Sequence, residues 1–115
     1  MADDALETTV ARELRAAGLQ ASSFDEPRAG GFGVEPDDGF VSVVWTPSEA
    51  MSSVAFDKMM AGETEHEAVL HMGRVKHLMA TAILEILRSA GLEARMSSDD
   101  MAPATVEVRS GGAAR

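Results

Sequence analysis

The fold is decided by the stretch TEHEAVLHMGRVKHLMATAILEILRSAG, Thr64 to Gly91. Thr64 and Glu67 have the Thr-x-x-Glu spacing of a capping box, in which hydroxyl and carboxylate satisfy first-turn amides reciprocally. Glu63 and Glu65 suit the positive end of a helix dipole. The helical pattern then runs unbroken to Ala90, and Gly91 ends it in the left-handed position. A helix from Glu65 to Ala90 would be about 39 Å long, whereas a chain of this length has a radius of gyration near about 13 Å. The helix is therefore expected to be as long as the whole domain.

Two apolar stripes run along it. Ala68, Met72, Val75, Met79, Ala82, Ile83, Ile86 and Ala90 form a broad one, the natural sheet-facing side. Leu70, Gly73, His77, Ala80, Leu84 and Leu87 form another, at the alternating spacings of three and four that pair helices. Glycine in a helix interior costs about 1 kcal/mol relative to alanine, so Gly73 makes sense where another helix crosses closely. The second stripe packs either on the first helix of the same chain or on its own copy across a two-fold axis. The first helix is too short to cover more than about half of it. Leu70, Gly73, His77, Ala80 and Leu84 are thus the candidate interface residues, and a symmetric contact would place His77 where its charge state matters.

All three histidines lie in this segment, beside glutamates. A zincin places two histidines four apart so that both face one ion. His66 and His71 are five apart, about 140° around a helix, and cannot share one. Glu67 and His71 are correctly spaced, but two ligands make an incomplete site. No metal site or cofactor is expected.

Outward from this helix, the remaining elements follow from local pattern. Asp3 or Asp4 can cap a first helix whose stripe is Leu6, Val10, Leu14 and Ala17, stopped by Gly18. Leu19 to Phe24 (LQASSF) is predicted as a strand, followed by the loop DEPRAGG. In RAGGFG, Arg28 to Gly33, the glycines read as flexible connection. A second strand, Phe32 to Glu35, turns at Pro36 to Gly39 into FVSVVWT, Phe40 to Thr46. There Val41, Val43 and Trp45 share one face. Residues 47–62 are ambiguous: Met51, Val54, Ala55 and Met59 suit a short amphipathic helix, SSVAF could extend a strand, and the reading leans to an irregular or helical connection. Two further strands, Leu92 to Met96 and Thr105 to Arg109, flank a turn from Ser97 to Pro103. Residues 1–109 then form one domain and residues 110–115 a flexible tail. LRAAGLQA and LRSAGLEA, from Leu14 and Leu87, echo each other as a helix end, glycine stop and strand start; shared capping chemistry explains this better than duplication. The fold class is α+β, in the order α-β-β-β-α-β-β. A mostly antiparallel five-stranded sheet with both helices on one face accommodates it.

Composition excludes several functions. With no cysteine, disulfides, thiolate metal sites and cysteine nucleophiles are ruled out. No segment reaches the roughly 20 apolar residues of a membrane span, and MADDALETTV lacks a signal pattern, so a cytoplasmic location is expected. The formal net charge is −9. Residues 1–67 carry 14 acidic against 4 basic groups, which disfavours nucleic acid and suits either solubility or a basic partner. Met51, Met59, Met60, Met72 and Met79 either fill gaps in an aromatic-poor core or cluster as an adaptable apolar surface. No Gly-x-Ser-x-Gly, P-loop or dinucleotide fingerprint is present.

The element order, in a small acidic cysteine-free chain, resembles the type III secretion chaperone-like fold over residues 3–109. That resemblance rests on element order and carries no binding residue over; the usual final helix is missing. It implies an acidic homodimer that holds an extended partner segment without catalysis. The reading is therefore a non-catalytic interaction module (adaptor, chaperone-like or regulatory) that binds a protein or peptide, as a homodimer. One alternative is a small enzyme or ligand-binding protein with a pocket near His71 and His77. Another is an acidic inhibitor mimicking nucleic acid, with the acids of residues 1–67 on one face.

Overall fold

In FVSVVWT, Val41 and Val43 alternate with Ser42 and Val44, the two-residue period of a half-buried strand. The computed structural model, which describes residues 2–23, 25–99 and 104–109 (side chains of 2–4 and 27 excepted), places this run at the centre of a sheet. The elements are α1 (Ala2–Ala16), β1 (Gly31–Asp37), β2 (Phe40–Thr46), α2 (Glu49–Met60), α3 (Glu67–Ser89), β3 (Glu93–Met96) and β4 (Thr105–Arg109). Four strands, all antiparallel, are ordered β1-β2-β4-β3. Among the described residues the architecture is α+β with three α-helices.

Register explains the core. Val41 pairs with Val108 and Val43 with Val106, while Ala94 and Met96 of β3 pair with the same two β4 valines. Phe32 and Val34 of β1 pair with Trp45 and Val43. These residues share a sheet face and join Leu6, Val10 and Leu14 of α1 and Ala80, Ile83, Leu84 and Leu87 of α3 in one cluster. Burying each large side chain here contributes about 1.5–3 kcal/mol. The opposite sheet face is polar or partly exposed. Arg95 there bridges Glu107 at 3.1 Å, and Val44 is 42% exposed. Behind the open edge of β3, Arg88 Nε donates to the Ala94 carbonyl at 2.8 Å, occupying part of a row that would otherwise invite pairing.

The fifth strand expected at Leu19 to Phe24 is not formed. Ala21 makes a single parallel bridge to Phe32, Ser22 N donates to the Phe32 carbonyl, and Phe32 N donates to the Gln20 carbonyl; Phe24 lies outside the described residues. Gly30-Gly31 lies at this contact. A Cβ on Gly31 would sit 2.4 Å from the Gln20 oxygen, and one on Gly30 2.5 Å from the Thr46 oxygen, so the segments press against a kinked strand entry. RAGGFG is accordingly a close-packed corner and not a flexible connection. The predicted turn also shifts: Pro36 and Asp37 belong to β1, and the loop is Asp38-Gly39. Proline is tolerated because β1 is an edge strand.

Three helices stop alike. Gly18, Gly62 and Gly91 have φ of +97°, +83° and +90°. The next residue's N–H in each case reaches the carbonyl five positions back: Leu19 to Leu14, Glu63 to Lys58, Leu92 to Leu87. This is the Schellman arrangement, and it accounts for the echo between LRAAGLQA and LRSAGLEA. Only the second copy proceeds into a ladder strand. α1 begins at Ala2, so Asp3 and Asp4 lie inside its first turn instead of capping it, and their side chains are outside the described residues. Of the readings open for residues 47–62, irregular connection, helix or strand extension, the structure has the helix, α2. The predicted tail, 110–115, and residues 100–103 of the Ser97–Pro103 turn lie outside the described residues.

Candidate functional site

α3 begins two residues later than its capping box predicts. His66 is the N-cap, with Nδ1 accepting from Ala68 N at 3.0 Å. Thr64 is spent in the turn after α2, where Glu63 N donates to the Lys58 carbonyl and His66 N to the Glu63 carbonyl. The first histidine is therefore explained by helix chemistry: a neutral ring nitrogen serves as acceptor for an orphan amide. Glu67, freed from the box, pairs with Arg74 at 2.6 Å along the exposed side of the helix. Among the described residues no group of three or more His, Asp or Glu could hold a metal ion.

The second stripe is divided in two. Ala80, Leu84 and Leu87 are 1%, 8% and 0% exposed and belong to the central core. Leu70, Gly73 and His77 are exposed and line an open apolar groove with Val69, Arg74 and Leu78. Of the five candidate interface residues, Ala80 and Leu84 are thus occupied inside the chain, and three remain at the surface. Of the broad stripe expected to face the sheet, Ile83 is buried in the core with the sheet valines and Ile86 packs against that core; Ile86 also lines a cleft with Glu13, Ala16 and Ala17 of α1, and Met72 one with α2. His71 is exposed and is not among the residues lining the groove that contains His77.

Beyond the core, α2 and the first half of α3 form an arm. Ala55 is the one buried residue of α2, whose main neighbours are α3 and the 3-10 turn Pro27–Ala29. In α3 all four buried residues lie between Ala80 and Leu87. Exposed large apolar side chains concentrate on this arm: Val54, Phe56 (59%), Met59, Met60 (72%), Leu70 and Leu78 (65%). Phe56 and Met59 line the cleft with Met72, so part of the methionine cluster expected from sequence is assembled there. Leu78 belongs to neither stripe; its sequence signal is an apolar residue off both faces of an amphipathic helix. Phe56 was hidden in the ambiguous stretch.

The acids of residues 1–67 are spread over α1, the loop before β1, the β1–β2 hairpin, α2, the α2–α3 turn and the first residue of α3. Among the described residues no helix is long and apolar enough to cross a membrane. No family model matches this chain, and no curated protein or solved structure matches it either.

Proposed function

We propose that this chain is a non-catalytic interaction module that binds a protein or peptide partner through its α2–α3 arm and acts as a homodimer. The observation carrying this reading is the concentration of exposed large apolar residues on an arm that the core leaves uncovered. Scattered apolar residues are ordinary on any surface; a group of six confined to two helices is what a binding face presents.

The two-fold contact is assigned to the Leu70–Gly73–His77 groove. A Cβ on Gly73 would meet nothing within 4 Å, so packing within the chain gives no reason for a glycine in mid-helix. Antiparallel crossing of two α3 helices, with its midpoint between Gly73 and Arg74, sets Leu70 opposite His77 and Val69 opposite Leu78. Residues 68–84 contain no acid, so two chains of net charge −9 repel each other least there. Light scattering at micromolar concentration is expected to give a dimer for the native chain and a monomer for Leu78→Glu. Because the chain has no cysteine, Leu70→Cys and His77→Cys chains, mixed and oxidised, should cross-link to each other more readily than either to itself. A native chain that stays monomeric removes the dimer. Affinity capture from source cells tests the module itself: a specific partner should be lost with Phe56→Gln/Met59→Gln and retained with Val44→Gln on the sheet.

A further inference from the structure

Five of the eight methionines, Met51, Met59, Met60, Met72 and Met79, fall on α2 and on the part of α3 before Ala80. The chain has no cysteine, so methionine sulfur is the group a peroxide oxidises most readily. Access differs among these residues. Met59 and Met60 are exposed, Met51, Met72 and Met79 are half-buried, and Met96 packs against the central cluster. Met59 of α2 and Met72 of α3 line one open cleft, so both stand on the seam between the two helices and both can be reached from solvent. That seam is thinly held. Ala55 is the one buried residue of α2, and its N-cap, Ser48, makes no side-chain capping bond. The Glu49–Arg28 pair, at 3.5 Å between exposed side chains, contributes little. What else holds α2 is partly exposed apolar contact with α3, to which Met59 and Met72 belong.

We infer that Met59 and Met72 form an oxidation site at which peroxide reversibly unlatches α2 from α3. A sulfur lone pair attacks one peroxide oxygen, and the S–O bond forms as the O–O bond breaks. The other oxygen leaves as water after proton transfer, and the two electrons it gains come from sulfur. The product, methionine sulfoxide, carries a polar oxygen where the thioether was apolar. Closing the seam over that oxygen strips away its water, so the oxidised chain favours an α2 open to solvent. The rest of the fold is spared. Ala80, Ile83, Leu84 and Leu87, which hold the core half of α3, contain no sulfur, and Met60 is not among the residues lining the cleft. The switch belongs to α2 itself and stands whether or not the arm binds a partner.

The test is hydrogen exchange of the full chain before and after treatment with hydrogen peroxide, with mass spectrometry locating each added oxygen. Met59 and Met72 should both be converted before Met96. The amides of α2 should then exchange at least about tenfold faster, while those of β2 and β4 keep their rates. Methionine sulfoxide reductases supplied with a thiol should restore the native rates. Met59→Leu/Met72→Leu keeps the seam apolar at nearly the same volume, and under the same peroxide its α2 should accelerate by less than about twofold. Met60→Leu should leave the full response in place. Circular dichroism verifies that each variant folds. The inference is overturned if Met59 and Met72 stay unoxidised in the folded chain, or if their conversion leaves α2 exchange unchanged. It also falls if the leucine pair responds like the native chain, if Met60→Leu abolishes the response, or if the reductases do not reverse it. Acceleration of β2 and β4 together with α2 would show general unfolding in place of a switch, and overturns it as well.

Discussion

At Gly31 the backbone has φ of +129°, and the nearest atom to a would-be Cβ is a main-chain oxygen, which cannot swing aside. Gly31→Ala should therefore destabilise the fold by about 3 kcal/mol, through backbone strain and the displaced Gln20 segment together. Denaturant unfolding measures this, and a loss below about 0.5 kcal/mol would mean that the corner is looser than described. His66 is the opposite case, a side chain used where several would serve. His66→Ala should cost about 1 kcal/mol by orphaning the Ala68 amide, and His66→Asn should restore most of it, since asparagine is among the best N-caps. The capping box was legible at Thr64 and Glu67, yet a cap depends on where the preceding turn releases the chain. The Gly62 stop and the turn to His66 decide that.

At the scale of the element, α3 is a single helix with two environments. Leu87 is fully buried and Leu70 is 43% exposed, although both belong to one stripe. Leu87→Ala should cost about 3 kcal/mol, whereas Leu70→Ala in the dilute monomer should change stability by less than about 0.5 kcal/mol. Gly73 separates folding from association. With nothing near its Cβ position, Gly73→Ala should stabilise the dilute monomer by about 1 kcal/mol, a rise of about 4 °C in Tm. In the proposed dimer the same change should weaken self-association, because a methyl group would then stand at the helix crossing. If Gly73→Ala strengthens the dimer or leaves it unaltered, the close crossing is wrong. The stripe itself was readable from the three-and-four spacing. Its division was not, because periodicity reports which residues share a face and nothing about how far a neighbour extends along it.

The whole molecule is elongated, 50 × 30 × 23 Å with a radius of gyration of 15.0 Å, against about 13 Å for a compact chain of this length. The arm lies outside the central cluster: all four buried residues of α3 fall between Ala80 and Leu87. With a single buried residue, α2 should open locally: its amides should exchange with solvent well before those of β2 and β4, whose exchange should require global unfolding. Equal protection of α2 and β2 would show the arm to be part of the core. By itself the sequence determined the α+β class, the helix stops at Gly18 and Gly91, the β2 strand to the residue and the inward valines of β4, since each is set by short-range periodicity or local backbone chemistry. Tertiary structure alone decided that Leu19 to Phe24 makes one bridge instead of a strand, that Ala80 and Leu84 are occupied while Leu70 and Leu78 are not, and that Phe56 and Met59 meet Met72. Those outcomes depend on contacts between segments distant in the chain, where close approach at Gly30-Gly31 and the finite length of α1 settle which surfaces are covered.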